Sequence, residues 1–150
     1  MADFDRFTTD HWTVAFPGDW IDKSEGSEAL YFESPHGDKG LYISLWLMSD
    51  QELRGSRELV ETFQTTEIAS FLPKSENWEL LNRSISDSES PVIGFWEGIN
   101  HERSYRVSGK QLAAAKFVLR ATFHDYDCSD RVASAESFAP IIDSLQLREA

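Results

Sequence analysis

Residues 40–48 run without a charge and alternate along their length: Leu41, Ile43, Leu45 and Leu47 fall on one side, Tyr42, Ser44, Trp46 and Met48 on the other. A period of two held this long is a β-strand with large side chains on both faces. Such a strand needs cover above and below, and the rest of the chain must supply it.

Two shorter strands precede it. Over 11–16, Trp12, Val14 and Phe16 alternate with Thr13 and Ala15. Pro17-Gly18-Asp19 then breaks the run, because proline removes a ladder donor and glycine admits positive φ. Residues 22–27 read as a polar turn, 29–33 as a strand, and Pro35 to Asp38 as its closing turn. After the long strand, Ser56 stands where a helix cap belongs. Leu59, Val60, Phe63, Ile68, Phe71 and Leu72 form an apolar stripe, with Glu58, Glu61 and Glu67 outside it, and Pro73 ends the helix.

Strands follow over 78–86 and 92–100 with a turn at 87–91. Gly94 and Gly98 point to bulges or close backbone approach. Residues 101–115 fit strand or helix. Alternation of Phe117, Leu119, Ala121 and Phe123 with Val118, Arg120, Thr122 and His124 favours a strand from about 115. Residues 103–109 are then its hairpin partner, turning near Gly109 and Lys110. Ser129 or Asp130 caps a last helix over 130–145, with Val132, Phe138, Ile141, Ile142 and Leu145 inward and Pro140 threatening a kink.

This order predicts an α+β fold in a single domain over 1–150: an antiparallel β-sheet of about six strands flanked by helices, an α/β/α sandwich. The Leu41–Leu47 and Phe117–Phe123 rows are expected to share the main core with the first helix. The opposite face, carrying Tyr42, Trp46, Met48, Arg120 and His124, is then left to the last helix, and any part that helix leaves bare is a platform for a peptide or a partner helix.

The charge of −12 is uneven: residues 1–50 carry ten acids and three bases, 51–100 nine and four, and 101–150 seven of each. Such a surface repels phosphate backbones and anionic membranes, so nucleic-acid and membrane partners are not expected. One cysteine, Cys128, excludes an internal disulfide and a multi-cysteine zinc site. The first residues show no signal-peptide pattern, and 40–48 falls far short of the ~20 residues of a membrane span, so a cytoplasmic location is expected.

The turn Phe16-Pro17-Gly18-Asp19-Trp20, the Tyr31-Phe32 strand, Leu41 to Leu47 before the helix, and the terminal Phe138-Ala139-Pro140-Ile141-Ile142-Asp143-Ser144-Leu145 resemble the PsbP-like superfamily. That superfamily also holds the Mog-type Ran-binding protein and bacterial DcrB-like domains. The resemblance implies an antiparallel sheet between helices and a protein that binds other proteins. In length and in its strand-one turn the chain is similar to small cytoplasmic bacterial chaperones of type VI secretion effectors, which shield apolar effector segments. It departs from them in its acidity and its basic hairpin.

For chemistry, only His124-Asp125-Tyr126-Asp127-Cys128 gathers ligand or nucleophile types. Three nearby acids (Asp125, Asp127 and Asp130) would raise the thiol pKa, and no second histidine lies at metal-binding spacing. No catalytic residue, metal or cofactor is therefore assigned. Arg103, Arg106, Lys110, Lys116 and Arg120 form a basic run with no acid between Arg103 and His124. It is either compensated by the chain's own acids or free to grip an acidic partner. The expected function is a non-enzymatic protein-binding module, an adaptor or chaperone for a secreted effector, with Tyr42, Trp46, Met48, Arg103, Arg106, Arg120 and His124 as partner-binding candidates and a homodimer as one assembly. The alternatives are a toxin-neutralising immunity protein and a small hydrolase-type enzyme using the His124 to Cys128 region.

Overall fold

The computed structural model describes residues 3–26, 29–87, 90–114 and 116–148. Seven strands form one antiparallel sheet in the order β3 (Ile21–Asp22), β4 (Leu30–Glu33), β5 (Lys39–Leu47), β9 (Phe117–Asp125), β8 (Tyr105–Ala114), β7 (Val92–Asn100) and β6 (Glu79–Ile85). A second antiparallel sheet has β2 (Trp12–Pro17) between β1 (Phe4–Thr8) and β10 (Gln146–Leu147). Helix α1 (Ser56–Phe71) packs on one face of the large sheet. Helix α2 (Arg131–Ser144) and the small sheet cover the other. The fold is the expected α+β sandwich, but the strand at 12–17 leaves the large sheet and belongs to a separate layer with α2. The flanking pairs were not legible. β1 is largely exposed and polar, and β3 and β10 are two residues each.

The two faces are exchanged relative to the sequence reading. Leu41, Ile43, Leu119, Ala121 and Phe123 pack against Trp12, Val14 and Phe16 of β2 and Phe138 and Ile141 of α2. Helix α1 covers the other face, where Leu59 and Val60 meet Val92, Ala113 and Val118, with Trp46, Met48 and Phe63 beside them. The reason is volume. The small aliphatic rows need the aromatic layer of β2 to fill the space beneath α2. Under α1, Gly94 and Gly98 of β7 let the helix approach. A Cβ on Gly94 would lie 2.5 Å from the Val60 side chain, and one on Gly98 2.6 Å from Leu72.

The hairpin is longer than expected. β8 passes straight through Gly109 and Lys110 to Ala114, paired residue for residue with β9, and the missing Cβ of Gly109 leaves the space that the Trp96 indole fills. The helical alternative for 101–115 is thereby replaced by strand from Tyr105 onward. Parts of the expected turns at 22–27 and 87–91, namely residues 27 and 88–89, and the strand start at 115 lie outside the described residues.

The cap of α1 is Gly55, with no side-chain bond, in place of Ser56. Asp130 caps α2, its Oδ1 accepting from the Val132 and Ala133 N–H groups at 3.0 and 3.2 Å. Pro140 does not break α2, since it lies on the exposed side where the freed carbonyl meets water. Ser144 ties the end of α2 to the middle of β2, accepting from the Ala15 N–H at 2.8 Å with the Ala15 carbonyl 3.1 Å away. Among the described residues, no helix is long and apolar enough to cross a membrane.

Candidate functional site

Strand register gathers side chains that are far apart in sequence. Tyr31 lies opposite Tyr42 across β4 and β5, and Thr122 lies opposite Tyr42 across β5 and β9. His124 lies opposite Val107 across β9 and β8, one step from Tyr105 along the α1 side. Tyr126 follows just past the end of β9. The chain has four tyrosines, and all four meet around His124. Tyr31 and Tyr42 stack at 4.2 Å between centroids, and His124 stacks on Tyr126 at 5.6 Å. The hydroxyls of Tyr31 and Tyr126 lie 3.1 Å apart, and Tyr31 donates to Glu33 at 2.7 Å. Gly40 leaves the room for that pair.

Between these rings and α1 lies a cavity of about 480 Å³, lined by Tyr42, Glu67, Phe71, Tyr105, Arg120 and His124 among others. This is a size suited to a small ligand or an inserted side chain. His124 is 2% exposed, with Nδ1 2.6 Å from the Tyr105 hydroxyl and Nε2 2.8 Å from Thr122 Oγ1. Burial holds its pKa down at about 4, so the ring is neutral near pH 7. Burial also pushes the Tyr31, Tyr105 and Tyr126 hydroxyls above the usual phenol range.

Glu67 is the residue the sequence reading misplaced. It faces the sheet at 6% exposure rather than standing outside the stripe. Its Oε1 accepts from Trp96 Nε1 at 3.0 Å and Gln111 Nε2 at 2.9 Å, and its Oε2 is buried without a partner. Burial raises its pKa, and the neighbouring Trp96 bond and Arg120 charge oppose that shift. Arg120 lies with its guanidinium carbon 4.4 Å from the Phe63 ring centroid and NH2 3.4 Å from Ser44 Oγ. Its buried Nε–H has no acceptor.

The seven sequence candidates therefore divide. Tyr42, Arg120 and His124 line one cavity. Trp46 and Met48 pack against the α1 cluster instead, Trp46 edge-on to Phe63 at 5.4 Å. Arg103 sits in the turn before β8 and pairs with Glu76. Arg106 is 3% exposed on the α2 side, its Nε 2.7 Å from Glu97 Oε2. Lys110 donates to the Ile142 and Leu145 carbonyls at the end of α2. The basic run is thus dispersed over both faces, because alternate residues of a strand point opposite ways.

The region from His124 to Cys128 does not assemble a thiol–imidazole pair, since both imidazole nitrogens are engaged elsewhere. The Cys128 thiol is raised in pKa, first by burial and then by Asp125 and Asp130, while Ser134 and Arg106 act the other way. Among the described residues, no group of three or more histidine, cysteine or acidic side chains is arranged to hold a metal ion. Tyr31, Glu67, Phe71, Tyr105 and Tyr126 were missed. The available signal was that every tyrosine falls in or beside a strand, which places them together only once the register is known.

No protein-family model matches the chain, and no curated protein does. Solved structures do. PsbP of the cyanobacterium Synechocystis sp. PCC 6803 (CyanoP) aligns with a TM-score of 0.67 at 16% identity, over 99% of this chain and 94% of that one. LpqN of Mycobacterium tuberculosis, involved in cell envelope biogenesis, aligns at 0.53 and 12% identity over 97% and 92%. A Bacteroides thetaiotaomicron protein aligns at 0.50 and 12%, over 96% of this chain and 48% of that one. At these identities the likeness carries the architecture: the fold is PsbP-like.

Proposed function

We propose that this protein is a non-enzymatic binding module that takes a segment of a partner polypeptide at the cavity between α1 and the large sheet. One observation carries the reading: the imidazole on the cavity wall, His124, is held at both nitrogens by Tyr105 and Thr122, so the histidine best placed to exchange protons is not free to do so. A general base needs an accessible nitrogen or carboxylate near its operating pKa. His124 has both nitrogens engaged and a pKa near 4, and Glu67 has one oxygen bound to Trp96 and Gln111 and the other enclosed away from solvent. What remains is a recess walled by rings, with Tyr42 41% exposed at its mouth. Rings of this kind offer large contact area at low conformational cost, the usual chemistry of an anchor pocket.

The finer form of this reading is a cytoplasmic adaptor or chaperone for a secreted bacterial effector, with an apolar effector segment as the partner and Tyr42, Arg120 and His124 as contacts. The chain's length and its strand-one turn support it. A photocrosslinking residue at position 42, used in the native host, tests it. The expected result is one polypeptide crosslinked through one discrete segment. Absence of any polypeptide adduct, with the protein folded, would overturn the reading.

A second reading, a toxin-neutralising immunity protein, is favoured by the charge of −12. It requires a basic partner and an association rate that falls steeply with added salt, whereas apolar capture is nearly salt-independent.

A further inference from the structure

Arg120 reaches the cavity with no acid at ion-pair distance among the described residues, although Glu67 on the same cavity is close enough to feel its charge. In a chain with 26 acidic and 14 basic residues, cations find partners easily. Arg103 has Glu76, Arg106 has Glu97, and Lys110 has two helix-end carbonyls. Arg120 is in no ion pair among the described residues. Its one side-chain bond is the 3.4 Å contact to Ser44, and its Nε–H is buried with no acceptor. Phe63 beneath the guanidinium holds it in place.

The other charges near the cavity offset it only in part. His124 is neutral there. Glu67 feels the Arg120 charge without bonding to it: its Oε1 is committed to Trp96 and Gln111, and its Oε2 bonds to no group. Glu33, outside the cavity, is already paired with Lys23 at 2.9 Å. A fixed guanidinium outside any ion pair is a strong donor site for a carboxylate, to which it can give two parallel bonds. Around it, Tyr42, Phe71, Tyr105 and Tyr126 offer flat apolar surface.

We propose that the cavity recognises an aromatic carboxylate, with the acid group on Arg120 and the ring held among the tyrosines. The inference rests on the binding reading above and names the chemistry of what is bound. That chemistry has two sources, the free C-terminal residue of a polypeptide or a small free acid.

Titration of the full chain, followed by NMR and calorimetry, separates them. The probes are 3-phenylpropionate, its carboxamide, phenethylamine, and a tetrapeptide ending in phenylalanine as free acid and as amide. The expected result is that both acids bind and shift the cavity residues, that both amides bind at least tenfold more weakly, and that Arg120→Met erases the difference while Arg120→Lys keeps part of it. Tighter binding of the peptide acid than of 3-phenylpropionate assigns the site to a chain end. Equal or weaker binding assigns it to a small acid, and either result supports the proposal.

Equal binding of acid and amide to the wild-type protein overturns the carboxylate assignment and leaves the binding module intact. Preference for phenethylamine overturns it as well, and makes Glu67 the recognising group. If no probe binds at millimolar concentration the proposal fails, and the crosslink at position 42 still decides the polypeptide-binding reading separately. The acid–amide comparison uses wild-type protein, so a poorly folding Arg120 variant does not stop the test.

Discussion

At the scale of single residues, His124 and Trp96 show how this protein places polar atoms in a dry interior. His124 titrates near pH 4 when folded, against an ordinary 6.5. Between those values the unfolded chain holds a proton that the folded chain lacks. Stability is therefore greatest above pH 6.5 and falls as pH drops toward 4, by roughly 3 kcal/mol over the full window. Glu67 works in the opposite sense, because its raised pKa favours the folded state as pH falls. His124→Gln removes only the first contribution. The urea-derived stability gap between wild type and His124→Gln should shrink steadily from pH 7 to pH 4.5, and a pH-independent gap would refute the neutral buried imidazole. Trp96 is fully buried, donates to Glu67, and lies where a Cβ on Gly109 would overlap its indole. Neither the strand nor the ring can move away without breaking paired backbone. Gly109→Ala should therefore cost roughly 3 kcal/mol in a urea melt, with loss of the near-ultraviolet signal of a fixed tryptophan.

At the scale of elements, the second helix is stabilised by a cap that the first helix lacks. Asp130 Oδ1 accepts two of the orphan N–H groups of α2, so Asp130→Ala should lower stability by about 1 kcal/mol. Ser56→Ala, beside an uncapped start at Gly55, should be close to neutral under the same denaturation assay. The contrast is informative about what the sequence can reveal. A cap at Ser129 or Asp130 before an apolar stripe is a local signal, and it was legible to within that pair. So were the 40–48 strand, the alternation after residue 116 and the close approach at Gly94 and Gly98, because each depends on neighbours in the chain. Which helix covers which face is different. Both rows of β5 are apolar, so nothing local separates Leu41 from Tyr42. The apolar layer of Trp12, Val14 and Phe16 decides it, and that strand pairs with residues more than 100 positions away. The cavity shares this property: Tyr42, Arg120 and His124 were legible as one face, whereas Glu67 was read as solvated because an acid in an amphipathic helix normally is.

At the scale of the whole molecule, the excess of acid should set how stability responds to salt. Among the described residues most ion pairs involve at least one well-exposed partner, such as Lys23 with Glu33, Arg54 with Glu52, and Arg57 with Asp87. Each is worth ~0–1 kcal/mol and is weakened by salt. Against them stands self-repulsion from a net charge of −12, which the fold concentrates and the unfolded chain spreads out. The pairs number few and the unpaired acids many, including Glu58 and Glu61 on the outer side of α1. Repulsion therefore outweighs attraction across the surface. Raising sodium chloride from about 10 mM to about 0.2 M shortens the screening length from ~30 Å to under ~10 Å. That should stabilise the protein by about 1 kcal/mol, or ~3 °C in the thermal midpoint for a chain of this length. The buried Arg106–Glu97 pair is sheltered from ions and should not oppose the rise. A falling midpoint over the same range would mean that surface attraction dominates, and would also remove the electrostatic case for a basic partner.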